Sequence, residues 1–135
     1  MANALYPKFK EALLSQSPSI NLSSDTINVA LIDTGVYTYN AAHDFWDDAV
    51  AGLVGTAQTL GSKTVTNGVF DAADVTFTSV SGSTVEALII YKSTGVNSTS
   101  PLIAYIDTAT GLPVTPNGGN ISITWDSGAN KIFAL

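Results

Sequence analysis

The segment TVEALIIYKSTGVNSTSPLIAYIDT, residues 84–108, limits the folds open to this chain more than any other feature. In an extended conformation Val85, Ala87, Ile89 and Tyr91 point to one face, and Leu88 and Ile90 to the other. Apolar residues on both faces describe a strand covered on both sides, which places residues 84–91 at the centre of a sheet. Residues 102–107 repeat that character beyond a polar connection containing Gly95 and Pro101. The two runs are expected to pair as a hairpin.

The rest of the chain supplies shorter pieces of the same kind. Residues 26–34 (TINVALIDT) read as an inner strand, and Gly35 allows a bend into a second short strand over VYTY, residues 36–39. Residues 53–60 are extended and rich in Gly, Thr and Ala. In KTVTNGVFD, Asn67-Gly68 is the preferred pair for a type I′ hairpin turn, because both residues accept positive φ. Residues 75–80 alternate as a half-exposed strand, ISITW alternates again from Ile121, and KIFAL closes the chain as a strand. The two prolines and three glycines of residues 108–119 make a long turn.

Two helices are expected. Over residues 3–16, Leu5, Phe9, Ala12 and Leu13 fall on one face at i, i+4, i+7 and i+8, and Pro7 fits a first turn. Residues 40–50 read as a helical turn or two capped by Asn40. The expected class is therefore all-β: an antiparallel β-sandwich or partly open barrel, with a short N-terminal helix and a second short helix near residues 41–50. Residues 1–22 form a helix and linker, and residues 23–135 a single β domain. The N-terminal helix has two readings: it packs on its own sheet, or it is an arm laid on a neighbouring subunit through Leu5, Phe9 and Leu13. The uncharged loop at the tip of the main hairpin, with Val96 and Asn97, is a second candidate contact.

Composition narrows the function. Charged residues are 12% of the chain, about half the usual share. A neutral Ser/Thr/Asn surface is cheap to desolvate against another protein. The net charge is −6 and arginine is absent, which disfavours nucleic acid and anionic membrane surfaces as partners. No cysteine is present, which excludes disulfides, thiolate catalysis and Cys-based zinc sites. MANALYPKFKEALL lacks the apolar core of a signal peptide, so a protein made in a cytoplasm is expected.

Chemistry-bearing motifs are sparse. His43 beside Asp44 has no second His, HExxH or GxSxG to complete a site, and reads as a surface histidine on a helix. Asp71 and Asp74 could form a glycosidase pair or a calcium site, but Asp is an ordinary turn residue, as are Asp33 and Asp107 at strand ends. Asn117-Gly118-Gly119-Asn120 lacks GK[ST] and reads as a hairpin turn rather than a phosphate loop. Trp46, Trp125 and the five tyrosines offer either core packing or a sugar-stacking platform. No catalytic residue, cofactor or metal site is expected.

TINVALIDTGVYT, GSKTVTNGVFDAADVTFTSVSGSTVEALIIYK and LIAYIDTATGLPVTPNGGNISITWDSGANKIFAL together resemble a family of small virion proteins of tailed bacteriophages. The resemblance spans nearly the whole chain and rests on overall pattern, with no catalytic motif to carry over. It implies a structural role: a capsid decoration, or cement, protein on the outside of the head shell. The major capsid protein would be the partner, and a trimer the favoured oligomer. A tail- or fibre-associated virion protein is the alternative within the resemblance. A carbohydrate-binding module for host attachment is the alternative from the aromatic residues.

Overall fold

A computed structural model describes residues 3–135. The strands are β1 (Ala4–Leu5), β2 (Ile27–Ile32), β3 (Leu53–Thr59), β4 (Thr64–Thr66), β5 (Val69–Asp71), β6 (Val75–Phe77), β7 (Ala87–Lys92), β8 (Leu102–Ile106), β9 (Ile121–Ile123) and β10 (Phe133–Ala134). The single α-helix among the described residues is α1 (Pro7–Ser15). The strands form a five-stranded sheet in the order β1-β8-β7-β2-β3, a three-stranded sheet β10-β5-β4 and the pair β6-β9. All pairings are antiparallel and no sheet closes into a barrel, so the fold is all-β and sandwich-like.

Strand β7 lies in the middle of the main sheet, between β8 and β2, as its two apolar faces require. Leu88, Ile89 and Ile90 are fully buried. Because antiparallel partners point to the same face, the register separates two layers. Ala30, Ile89 and Tyr105 share one face, and Leu31, Leu88 and Ile106 share the other. The first face is covered by the segment after β2: Trp46 stacks on Tyr91 at 4.3 Å and Tyr39 meets Tyr105 at 5.4 Å. On the second face, Leu5, Ala104 and Ile106 share a hollow with Phe133 of the three-stranded sheet. Phe133 in turn contacts Phe9 of α1 at 5.9 Å and Phe70 of β5 at 5.3 Å.

Four expectations are corrected. The N-terminal helix starts at Pro7 and not at residue 3, because Ala4 and Leu5 pair with Tyr105 and Ala104 on the outer edge of β8. The second helical segment starts at Trp46 and not at Asn40, and consists of two short 3-10 turns, Trp46–Asp48 and Val50–Gly52. Backbone groups there are already engaged, since Leu102 N–H donates to Asp44 O and Trp46 N–H to Ser100 O. Residues 36–39 are not a strand, because the chain folds back at Asp33. Gly118 and Gly119 do not form a hairpin turn; they exchange backbone hydrogen bonds with Val80.

The turn between β4 and β5 is as expected, with φ of 52° at Asn67 and 78° at Gly68. A Cβ added at Gly68 would also lie 3.1 Å from the Leu135 carbonyl oxygen. Gly68→Val should therefore lower stability by about 1 kcal/mol or more in urea unfolding, through positive φ at a β-branched residue. An unchanged midpoint would contradict this geometry.

The linker of residues 17–25 is tied to the main sheet. The Asp25 carboxylate accepts the Asn21 N–H at 2.7 Å and pairs with Lys92 at 3.0 Å, and Lys92 Nζ also donates to Ser19 O. Burial alone would raise the Asp25 pKa, but the Asn21 N–H and the Lys92 ammonium together hold it below the usual carboxylate value. A depressed folded value means that the ionised form stabilises the fold. This contribution is complete above the unfolded value of about 3.9 and is lost as pH falls through the lower folded value. Asp25→Asn should melt below the wild type at neutral pH, and the gap should close on acidification below that window. A gap that stays constant with pH would show that charge is not involved.

Candidate functional site

One end of the five-stranded sheet gathers side chains from three strand ends. Ile32 pairs with Ala87 and Leu88 with Ile106, so Thr34, Glu86 and Asp107 lie just beyond the same edge. The chain leaving β2 is turned back there. The Asp33 carboxylate accepts the Gly35 N–H at 2.8 Å, and its carbonyl accepts the N–H groups of Val36 and Tyr37. This turn lays Tyr37, Thr38 and Tyr39 across the end of the sheet. The result is an open cleft of about 450 Å³ lined by Thr34, Tyr37, Thr38, Tyr39, Glu86, Tyr105 and Asp107.

Hydrogen bonds fix much of its wall. Thr34 Oγ1 donates to Glu86 Oε2 at 2.8 Å. Behind it the hydroxyls of Tyr6 and Tyr37 bond each other at 2.8 Å, and the Tyr37 hydroxyl bonds His43 Nδ1 at 2.9 Å. The ring of Tyr39 is tilted between those of Tyr6 and Tyr105, at 5.1 and 5.4 Å. Burial raises the pKa of Tyr6, Tyr37 and Tyr105, and for Tyr105 the negative charges of Asp107 and Glu86 push it further in the same direction. These phenols stay protonated, so each keeps a proton to donate and none acts as a base. The cleft thus combines tyrosine hydroxyls, two carboxylates and an aromatic wall, a donor–acceptor set suited to a small polar ligand.

The residues singled out from sequence lie elsewhere or take other roles. Phe9 is 0% exposed and packs in the chain's own core, Leu5 lies in β1, and Leu13 is half-buried against the core. As the chain folds on itself, the Leu5–Phe9–Leu13 stripe is occupied by its own sheet; Leu14, at 90% exposure, is the open apolar residue of α1. Val96 and Asn97 are exposed, at the opposite end of the sheet from the cleft. His43 is half-buried and bonded to Tyr37, not on a helix. The Asp74 carboxylate accepts the Trp125 backbone N–H at 3.0 Å, a long-range bond that ties the start of β6 to the end of β9 rather than a local turn contact. Trp46 and Trp125 are buried, so neither presents a stacking platform. Among the described residues, no group of three or more His, Asp or Glu converges as a metal site, and no helix is long and apolar enough to cross a membrane.

Sequence pattern alone does not mark Glu86 or Tyr105 as site residues. The signal that finds Glu86 is its position as the single charge inside the apolar run TVEALIIY. Tyr105 carries no such mark, since its apolar neighbours make it read as core.

Compared with known proteins, the chain matches no family model and no curated protein sequence.

Proposed function

We propose that this chain is a non-enzymatic structural protein of a tailed-phage virion, binding the outside of the head shell as a decoration subunit and stabilising it. The resemblance in the sequence motivates the reading, and the loop of residues 93–101 carries it structurally. That loop has no charge, and its own hydroxyls brace it. Thr94 N–H donates to Ser100 Oγ at 3.0 Å, Thr94 and Thr99 hydroxyls bond at 2.7 Å, and Ser100 Oγ donates to Val96 O at 2.8 Å. Val96 stands 55% exposed among these bonds. A neutral, preorganised knob loses little conformational entropy and few ion-hydration contacts when it docks, which favours a protein partner such as the major capsid protein. A trimer would suit closed symmetry at the meeting points of capsomers.

The test compares phage particles with and without the protein. Particles lacking it should release their DNA at a lower temperature, and purified protein should restore the wild-type value. Val96→Asp should abolish the restoration while melting like the wild type. Equal heat resistance of the two particles would reject the decoration role.

A further inference from the structure

The cleft between the end of the main sheet and the turn at residues 33–39 is more fully furnished than a structural subunit requires. Tyr105 is only 3% exposed, yet no described residue hydrogen-bonds its hydroxyl. Among the described residues no buried side-chain polar atom lacks a partner, so this hydroxyl opens onto the cleft that the residue lines. Glu86 and Asp107 line the same cleft, and after burial their negative charges add to the raised pKa of Tyr105. Glu86 is held by Thr34 through Oε2 alone, and no described hydrogen bond engages its Oε1. Tyr39 is half-buried and lines the cleft beside Tyr105.

We propose that this cleft is a binding site for a neutral saccharide, contacted by Tyr105, Glu86 and Tyr39. The chemistry selects the class. A phenol that donates beside a carboxylate that accepts is matched by adjacent ligand hydroxyls, which accept from one and donate to the other. An ammonium group offers donors only and leaves the Tyr105 proton unused. An anion would be repelled by the carboxylates. The Tyr39 ring supplies the apolar surface against which the C–H face of a pyranose packs. The site lies at the opposite end of the sheet from the loop of residues 93–101, so both can be occupied at once, and the proposal does not depend on the decoration role.

The experiment is a two-dimensional NMR titration of the intact chain. The probes are hexoses, N-acetylhexosamines and their disaccharides at millimolar concentration, with methylammonium as the cationic comparison. At least one saccharide should shift the signals of Thr34, Tyr39, Glu86 and Tyr105 while leaving those of residues 93–101 in place. Tyr105→Phe removes a hydroxyl with no protein partner, so its melting temperature should match the wild type while affinity falls at least about tenfold. Glu86→Gln should weaken binding similarly, and its fold is checked by the same spectra. No shifts with any saccharide, equal affinity of Tyr105→Phe, or shifts with methylammonium alone would each overturn the proposal.

Discussion

Leu88→Asp is expected to yield a chain that does not fold. Leu88 is fully buried in β7, the middle strand, on the face shared with Leu31 and Ile106. A carboxylate there finds strand neighbours and no cation. The protein must either bury an unpaired charge or take up a proton, and it also loses the leucine contacts. Losing such a side chain alone costs about 2–5 kcal/mol, and the buried polar group adds at least about 1–3 kcal/mol. Together these are comparable with the lower part of the roughly 5–15 kcal/mol typical of a domain's total stability. The expected observation is loss of the cooperative melt and of dispersed NMR signals. A soluble variant with a native-like melt would place Leu88 outside the core. Ile90→Asp, equally buried on the same strand, serves as the replicate.

The second large effect is at Phe9. Its ring is fully buried and meets Phe133 edge-on, and Phe133 meets Phe70. This aromatic chain joins α1 to the three-stranded sheet. Phe9→Ala should cost about 3–5 kcal/mol in denaturant unfolding. Removing residues 1–16 should do more, because it deletes β1 and exposes the outer edge of β8 as well as Phe133. The truncated protein should melt far below the intact one or aggregate. A truncated protein that stays folded and loses only assembly would instead establish the segment as an arm.

The difference between an arm and a core helix shows what the sequence makes legible. Helical spacing of Leu5, Phe9, Ala12 and Leu13 reveals an apolar face but not what covers it. Only the register of Ala4 with Tyr105, set by the whole sheet, brings that face onto its own chain. The main hairpin is readable because both alternating sets of β7 are apolar, which leaves one place for it. The Asn67-Gly68 turn is readable because its chemistry is local. Residues 36–39 mislead because Val36 and Tyr37 suit a strand, whereas the Asp33 side chain captures the Gly35 N–H and folds the chain back. Residues 40–50 mislead for a related reason: Phe45 bridges to Pro101, and the Asp48 carboxylate accepts the Asp44 N–H. The cleft is the least legible feature. It is assembled from the ends of β2, β7 and β8, and no segment contains enough of it to be recognised alone.

The order of strands in the main sheet also sets a timetable for synthesis. Asn28 of β2 is bonded to Tyr91 of β7, 63 residues later, and Asn3 to Asp107, 104 residues later. At ribosomal elongation rates of about 5–20 residues per second, β2 waits on the order of several seconds for the strand that completes its inner edge. During that wait β2 can pair with β3 alone, and the edge that β7 will cover stays open. The first strand to leave the ribosome is among the last to be paired, so the domain closes only when nearly all of it has been made. The inner edge of β2 is therefore covered late, by a strand from the second half of the chain.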